Sequence, residues 1–188
     1  MTCEESLKII KEGNARYVAG TPKQRLYSSV RADLLAKGQN PYAAIIGCSD
    51  SRTPMEIIFD AGLGELFIIR SAGNVIGEIG LGSLEYAVDV LKTPIIIVVG
   101  HQQCGAVKAA IRGGYSSPMM QVVINEICKC SSKDVCTCDQ EEIENKNILY
   151  TLSKIASNIV ISKAVDEGRV KLYAAKYSLE TGVVTFFD

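Results

Sequence analysis

Three short runs of continuously apolar residues stand out in the first hundred positions of the chain. They cover 43–47, 66–69 and 95–100 and are rich in β-branched side chains. Strands that are buried on both faces of a parallel sheet have this pattern, whereas strands with one exposed face alternate apolar and polar residues. The pattern therefore predicts three interior strands of a parallel sheet.

Helical patterns separate these runs. Thr53 and Pro54 are typical of a helix start, with Thr as the N-cap and Pro at the first helical position. Apolar residues on one face predict a second helix over about 80–91, and a third is predicted to begin near Gly105. Strands that alternate with helices indicate right-handed crossovers and an α/β fold.

The two ends of the chain have simpler patterns. Between 4 and 18, apolar residues recur at helical spacing and only Asn14 interrupts them; with a second short helical segment near 30–36, they predict an N-terminal helical arm over 1–36. Near the C-terminus, 170–177 and 183–187 are typical of a terminal strand pair joined by a short turn.

The region between these parts is less regular. Periodicity is lost over 113–141, which is rich in Ser, Lys, Asp and Cys and is predicted to be a variable, Cys-rich loop. A long helix follows from about Glu142 and ends by Gly168.

Length and composition complete the predicted architecture. The 188 residues are 47% hydrophobic and 22% charged, which suits one globular domain over 1–188. The predicted fold is α/β, with a central, mostly parallel sheet of four strands, a C-terminal edge strand, flanking helices and the N-terminal arm.

Charge excludes several classes of partner. The 20 Lys and Arg residues nearly balance the 21 Asp and Glu residues, so no overall field favours nucleic acid or an anionic membrane. The N-terminus lacks the basic and apolar regions of a signal peptide, and no run approaches the roughly 20 apolar residues that span a bilayer. We expect a cytoplasmic protein with a small ligand and no nucleic-acid or membrane partner.

Metal-capable side chains follow two of the predicted strands. Cys48 comes directly after the first strand, His101 directly after the third, and Cys104 three residues later. If these strands are neighbours, roughly 5 Å apart, their carboxyl ends converge on one point. The seven cysteines are an odd number, which favours metal binding or thiol reactivity over a disulfide framework.

Two thiolates and one imidazole are a donor set that suits zinc, and three protein ligands leave the fourth tetrahedral position for water. The alternative is that Cys48 and Cys104 are small buried side chains and His101 is an ordinary core histidine. His101 is the single histidine of the chain and stands beside a cysteine at a strand end, which favours the zinc site.

Asp50 and Arg52 follow Cys48 by two and four residues. A carboxylate in this position can accept the remaining proton of a zinc-bound hydroxide and orient its lone pair towards an electrophile. Arg52 can hold Asp50 through two parallel hydrogen bonds and keep it ionised. Such a pair is more often a surface ion pair, but its place beside a candidate ligand favours a catalytic role.

Two segments of the chain resemble the two-part signature of the β-carbonic anhydrases. The first contains Cys48, Asp50 and Arg52, and the second contains His101, Cys104 and Gly105. The likeness extends to 12–17, 70–74, 84–87 and 179–182. The resemblance implies reversible hydration of carbon dioxide to bicarbonate by attack of zinc-bound hydroxide. It also implies an obligate homodimer with the active site near the subunit interface, and pairing of dimers into a tetramer.

The resemblance implies further site residues. Gln39, Phe67 and Tyr86 match the substrate pocket of the plant-like subgroup, and the Gly105 amide would lie near the substrate oxygen; the two aromatic residues could equally be core side chains. In some relatives the aspartate that matches Asp50 becomes a fourth zinc ligand in a closed state. The chain has no tryptophan, so it resembles the bicarbonate-regulated subgroup less.

The remaining cysteines depart from the family pattern. Cys128, Cys130, Cys136 and Cys138 could bind a second zinc, an iron–sulfur cluster or a soft metal, or form regulatory disulfides. We favour ordinary reduced thiols, because the spacing within each pair is tight and no histidine accompanies them. Cys3 has no evident role.

Two alternative functions stay open at this level. A hydrolase of carbonyl sulfide or carbon disulfide would use the same scaffold, because these linear molecules resemble carbon dioxide. A noncatalytic metal-binding or redox-sensing protein would use the Cys-rich segment instead. Asp50 and Arg52 argue against the second alternative, since metal storage needs no group that orients water.

Overall fold

The N-terminal arm begins with one regular helix. The computed structural model describes residues 1–24, 31–32, 36–113 and 117–187. Helix α1 spans Cys3–Val18 and starts with a capping box, in which the Thr2 hydroxyl accepts the Glu5 amide and the Glu5 carboxylate accepts the Thr2 amide. Most of the second helical segment predicted near 30–36 lies outside the described residues.

A twisted sheet forms the centre of the described part of the chain. Its strands are β1 (Ala43–Cys48), β2 (Leu66–Ser71), β3 (Ile95–His101), β4 (Lys171–Tyr177) and β5 (Val184–Phe186), in the spatial order β2-β1-β3-β4-β5. The first four strands are parallel and β5 pairs antiparallel with β4. The predicted α/β fold, with four parallel strands and a C-terminal edge strand, is confirmed.

Helices cover both faces of this sheet, which explains why the central strands are apolar throughout. On one face, α1 and α2 (Met55–Ile58) pack against Ile45 and Ile97. The other face carries Ile46 and Ile96 and is covered by three helices: α3 (Glu78–Asp89), α6 (Gln140–Ala156) and α7 (Ile159–Asp166). Alternate residues of one strand thus enter two different cores.

Beyond the carboxyl ends of the strands lies a third apolar cluster, built by α4 (Gly105–Ile111), α5 (Pro118–Cys128) and the first turn of α6. Cys48 and Cys104 belong to this cluster and are buried in it. The chain runs from β1 to β2 on one side of the sheet and reaches β3 on the other side of β1. Open α/β sheets bind their ligands in the crevice at such a reversal of strand order.

Two sequence-based predictions of local structure, one of a helix cap and one of an irregular loop, were wrong. Thr53 does not cap α2; Pro54 holds the cap position without a side-chain hydrogen bond. The buried Thr53 hydroxyl instead donates to the carbonyl oxygens of Cys48 (3.3 Å) and Asp50 (2.9 Å), so it closes the turn after β1. The segment 113–141 is not an irregular loop, because α5 and a 3₁₀ turn at Val135–Thr137 lie within it.

The long helix predicted after Glu142 is in fact two helices. Helix α6 ends at Ala156, and the side chain of Asn158 caps the start of α7 by accepting the amides of Val160 and Ile161. The two helices meet at 85°. No single helix in the described ranges is long and apolar enough to cross a membrane, although this bent pair meets the criterion by combined length and composition.

Candidate metal centre

Neighbouring strand ends bring the three predicted metal ligands together. β1 and β3 are adjacent and parallel, with Gly47 in register with Val99, so Cys48 and His101 leave the sheet side by side. Cys104 follows at the N-terminus of α4. The ligand atoms of the three side chains lie within 4.8 Å of one another, and all three residues are buried.

The turn between His101 and Cys104 depends on an uncommon backbone conformation. Gln103 has a φ of 53°, in the left-handed region that non-glycine residues seldom adopt. The amide of Gln102 donates to the Tyr177 carbonyl at 3.1 Å, which anchors the turn to β4. This turn lets two ligands only three residues apart reach the same point.

The histidine ring is oriented for metal binding. Its Nδ1–H donates to the carbonyl of Gln102 at 2.8 Å, which leaves Nε2 as the atom with a free lone pair. Nε2 is buried and has no hydrogen-bond partner among the described residues. A buried nitrogen without a partner is costly, and a metal ion at the centre of the cluster would satisfy it.

One of the two thiols, Cys48, is already suited to a cation, whereas the hydrogen bond with Cys48 and burial raise the pKa of Cys104. Hydrogen bonding with Cys104 is the main effect that lowers the pKa of Cys48 to about 4, against the opposing effect of burial. The backbone amides of Asp50 and Gly73, each 3.4 Å from the Cys48 sulfur, lower this pKa further. A thiolate is the form that a metal requires, so this part of the donor set is prepared for an ion.

Arg52 holds the Asp50 carboxylate at the edge of the cluster. Its Nε and Nη2 atoms donate to the two carboxylate oxygens of Asp50 at 2.9 and 2.8 Å, and its backbone amide donates at 2.9 Å. The Arg52 hydrogen bonds are the main reason that the pKa of Asp50 lies well below its usual range. Asp50 Oδ2 is 3.9 Å from Nε2 of His101, so an ionised carboxylate faces the candidate metal position.

Arg70 is a site residue to which sequence reasoning assigned no role. Its side chain donates to the carbonyl oxygens of Cys48 (2.8 Å) and Asp50 (2.7 Å), and it thus supports the segment that carries the ligand and the carboxylate. Arg70 pairs in register with Gly47, the residue before Cys48. A charged residue at the carboxyl end of an otherwise apolar strand was the available signal.

The predicted substrate residues lie in different places. Phe67 is in register with Ala44, four residues before Cys48, which corresponds to roughly 13 Å along the strand. Its ring packs against Tyr86 with centroids 6.3 Å apart, and Tyr86 is 44% exposed. Gln39 is exposed, and Gly105 follows Cys104 directly, with open space where a side chain would be.

The segment 113–141, which was predicted to be a loop, contains four cysteines, and they lie in different local structures. Cys128 ends α5, Cys136 lies in the 3₁₀ turn, and all seven cysteines are free thiols. Across the described ranges, Cys48, His101 and Cys104 are the only group of three or more metal-capable side chains whose ligand atoms lie this close together. That the other thiols are ordinary and reduced stays a prediction.

These features together define a candidate α/β metalloenzyme. A buried cluster of two cysteines and one histidine lies where the strand order of a parallel sheet reverses, and a carboxylate held by Arg52 lies beside it. The family model described as "Carbonic anhydrase" matches residues 43–184, which contain all three candidate ligands, Asp50 and Arg52. The chain belongs to the β-carbonic anhydrase family, and the resemblance noted in its motifs is confirmed.

Individual relatives agree with this assignment over nearly the whole chain. Carbonic anhydrase 2 of Mycobacterium tuberculosis is 39% identical over 190 residues, which cover 96% of this chain and 91% of the relative. The solved β-carbonic anhydrase CcaA is 26% identical, with a TM-score of 0.71 and coverage of 97% and 95%. A tetrameric β-carbonic anhydrase from Sordaria macrospora, 24% identical, shares the fold with a TM-score of 0.76 and coverage of 86% and 89%.

Proposed function

We propose that this enzyme catalyses the reversible hydration of carbon dioxide to bicarbonate and a proton at a zinc ion held by Cys48, His101 and Cys104. The observation that carries the proposal is the buried donor cluster, with its ligand atoms within 4.8 Å of one another. Family membership supports the same reaction. Two sulfur donors and one imidazole nitrogen favour zinc over the harder cations that prefer oxygen ligands.

When bound in such a site, zinc lowers the pKa of a coordinated water from 15.7 towards about 7 and so supplies a nucleophile near neutral pH. Three protein ligands leave one position open for that water. Asp50 then serves as the hydrogen-bond acceptor that orients the reacting water towards carbon dioxide. Arg52 keeps Asp50 ionised and prevents its rotation, because both carboxylate oxygens are engaged.

The same clamp bears on the proposed closed state, in which Asp50 would be a fourth ligand. Movement of Asp50 onto the metal requires at least one of its two hydrogen bonds with the Arg52 guanidinium to break. We therefore propose that the arrangement described here corresponds to the open, active state. Closure would need conditions that weaken the Asp50–Arg52 pair.

We propose that a second copy of the chain completes the substrate pocket. Phe67 lies roughly 13 Å along the sheet from Cys48 of its own chain, and Tyr86 on α3 packs against it, which favours a pocket that these residues line across a subunit interface. β2, which carries Phe67, is an edge strand of the sheet, and Ile79 on α3 and Val90 directly after α3 are exposed. A homodimer would cover these apolar side chains, with Gln39 at the same interface and the Gly105 amide near the substrate oxygen.

The proposed partners are small and the proposed location is the cytoplasm. Carbon dioxide and bicarbonate are the ligands, and copies of the same chain form a dimer or a tetramer of two dimers. Seven free thiols persist best in a reducing compartment, which supports the cytoplasm.

Stopped-flow measurement of carbon dioxide hydration, with zinc content determined on the same samples, tests the proposal. The purified wild-type enzyme should contain about one tightly bound zinc per chain and be active. Cys48→Ala should lose zinc and activity together, whereas Cys136→Ala, an exposed thiol outside the cluster, should keep both. Wild-type enzyme that hydrolyses carbonyl sulfide but does not hydrate carbon dioxide would contradict the proposed substrate.

A further inference from the structure

A buried ion pair lies behind the candidate metal centre. The carboxylate of Glu144, on α6, is 4% exposed and lies 3.0 Å from the ammonium group of Lys176, on β4. Carboxylates are seldom buried unless they are paired, because removing a charge from water is costly. The buried face of α6 otherwise carries only uncharged residues (isoleucine, asparagine and threonine), so the presence of an acidic residue there calls for a specific explanation.

The second oxygen of this carboxylate reaches the metal-ligand segment. Glu144 Oε1 accepts the backbone N–H of Cys104 at 3.1 Å and the side-chain amide of Gln140 at 2.9 Å. The same Gln140 amide is 3.5 Å from the Cys104 carbonyl oxygen. Side chains of α6 thus form hydrogen bonds with both the N–H and the carbonyl group of Cys104.

We propose that Glu144 is a positioning residue, which holds the backbone of Cys104 so that its sulfur points at the zinc shared with Cys48 and His101. The proposal rests on the zinc site proposed above. Cys104 follows the left-handed Gln103 and precedes a helix of seven residues that has no side-chain cap, so local structure alone holds this ligand weakly. Partners of this kind, one step behind the ligands, orient them and tune their affinity for metal.

Lys176 gives this arrangement its charge balance. The site already contains two thiol ligands, and an unpaired carboxylate behind Cys104 would add negative charge and reduce the Lewis acidity of the metal. Lys176 neutralises Glu144 at 3.0 Å while leaving Oε1 free to accept the Cys104 amide. The pair therefore supplies a strong hydrogen-bond acceptor without a net charge.

Two conservative variants separate positioning from a purely structural role. Glu144→Gln keeps an oxygen at the position that accepts the Cys104 amide but loses the charge. Glu144→Asp keeps the charge beside Lys176, but its shorter side chain withdraws from Cys104. Zinc affinity, measured by competition with a chromogenic chelator, should fall about 10-fold or more in Glu144→Asp and stay within about threefold of wild type in Glu144→Gln.

The spectrum of the cobalt(II)-substituted protein provides a readout that is independent of activity. Its thiolate charge-transfer and ligand-field bands should shift in Glu144→Asp and stay unchanged in Glu144→Gln. Glu141→Gln is the matched control. Glu141 lies on the same helix as Glu144 and lines the same cleft of about 550 Å³. Its exposed carboxylate, however, contacts Lys176 (3.4 Å) and not Cys104. This control should bind zinc as wild type does.

The outcomes distinguish this inference from the proposed function. Failure of the wild-type protein to bind zinc would remove the zinc site itself. Normal zinc binding and an unchanged cobalt spectrum in Glu144→Asp, with only a lower melting temperature, would show that the ion pair merely stabilises the core. If Glu144→Asp does not fold, Gln140→Ala decides: a several-fold loss of zinc affinity supports positioning, and unchanged affinity overturns it.

Discussion

Asp50 and Arg52 show how two side chains that follow one strand fix the direction of a carboxylate beside the candidate metal centre. The planar guanidinium matches the carboxylate with two parallel hydrogen bonds, and the Arg52 backbone amide supplies a third. Arg70 holds the carbonyl groups of Cys48 and Asp50 from the neighbouring strand. The direction of the Asp50 carboxylate is therefore determined by three separate donors and one supporting side chain.

Asp50→Asn should separate the orientation of water from metal binding. The amide cannot accept hydrogen bonds from Arg52 at both of its terminal atoms, so the clamp is lost while the three ligands remain. We expect kcat to fall about 10- to 100-fold with zinc content unchanged, as measured by stopped-flow kinetics and metal analysis. Asp89→Asn, an exposed aspartate on α3, is the control; loss of zinc from Asp50→Asn would contradict the proposed role.

The pH dependence of activity should also follow from individual residues, namely Asp50 and the two cysteine ligands. The Arg52 hydrogen bonds keep the pKa of Asp50 below its usual value, so this carboxylate is ionised throughout the neutral and alkaline range. Two thiolates donate more charge to zinc than imidazoles do, which should leave the reacting water less acidic than in an all-histidine site. Activity should therefore rise from about pH 7 to about pH 9; a flat profile across this range would argue against the mechanism.

At the scale of elements, Asn14 explains how the N-terminal helix is attached to the domain. This buried side chain donates to the carbonyl oxygens of Ile58 (3.2 Å) and Gly182 (2.9 Å) and accepts the amide of Val184 at 2.9 Å. It thus joins α1, the end of α2 and the turn before β5. The polar residue that interrupts the apolar face of α1 is a buried connector rather than a defect in the pattern.

Asn14→Ala should be strongly destabilising for this reason. The substitution leaves a buried amide and two carbonyl groups without their partner, and we expect the free energy of unfolding to fall by about 2–4 kcal/mol. Urea unfolding of the zinc-loaded enzyme measures the difference. Glu12→Ala, an exposed position on the same helix, should change stability by less than about 0.5 kcal/mol; equal stability of the two variants would refute this account of Asn14.

At the scale of the whole molecule, the distance between the ligand cluster and the aromatic pair is the important fact. Phe67 lies along the sheet from the candidate metal centre of its own chain, and Tyr86 on α3 packs against Phe67. In a two-fold dimer, the pocket of one copy could meet the ligands of the other. Each active site would then need residues from two chains.

Mixed dimers test this shared site directly. One chain carries Cys48→Ala, and the other carries Phe67→Ala with Tyr86→Ala; each should be nearly inactive alone. Equal co-expression should restore about one quarter of wild-type activity, because half of the dimers are mixed and each mixed dimer has one intact site. Activity no greater than the average of the two parents would show that every site is built from a single chain.

The sequence by itself determined the class of fold and the donor set. Short, continuously apolar runs rich in β-branched residues are typical of strands buried on both faces, so 43–47 and 95–100 indicated interior parallel strands before their neighbours were known. Cys48, His101 and Cys104 could be predicted because each follows a strand or its turn at short range. The regular spacing of local signals was sufficient for these features.

Only the tertiary structure decided which side chains support the candidate metal ligands. Arg70, Glu144 and Lys176 act through contacts between residues far apart in the chain, and no local pattern reports such contacts. Helix α5 escaped detection because it lies within a polar and cysteine-rich part of the sequence, and its buried residues, Ile124 and Ile127, became identifiable only from the fold, in which α5 packs against α4. Sequence patterns record local preferences, whereas hydrogen bonds between distant segments exist only once the chain has folded.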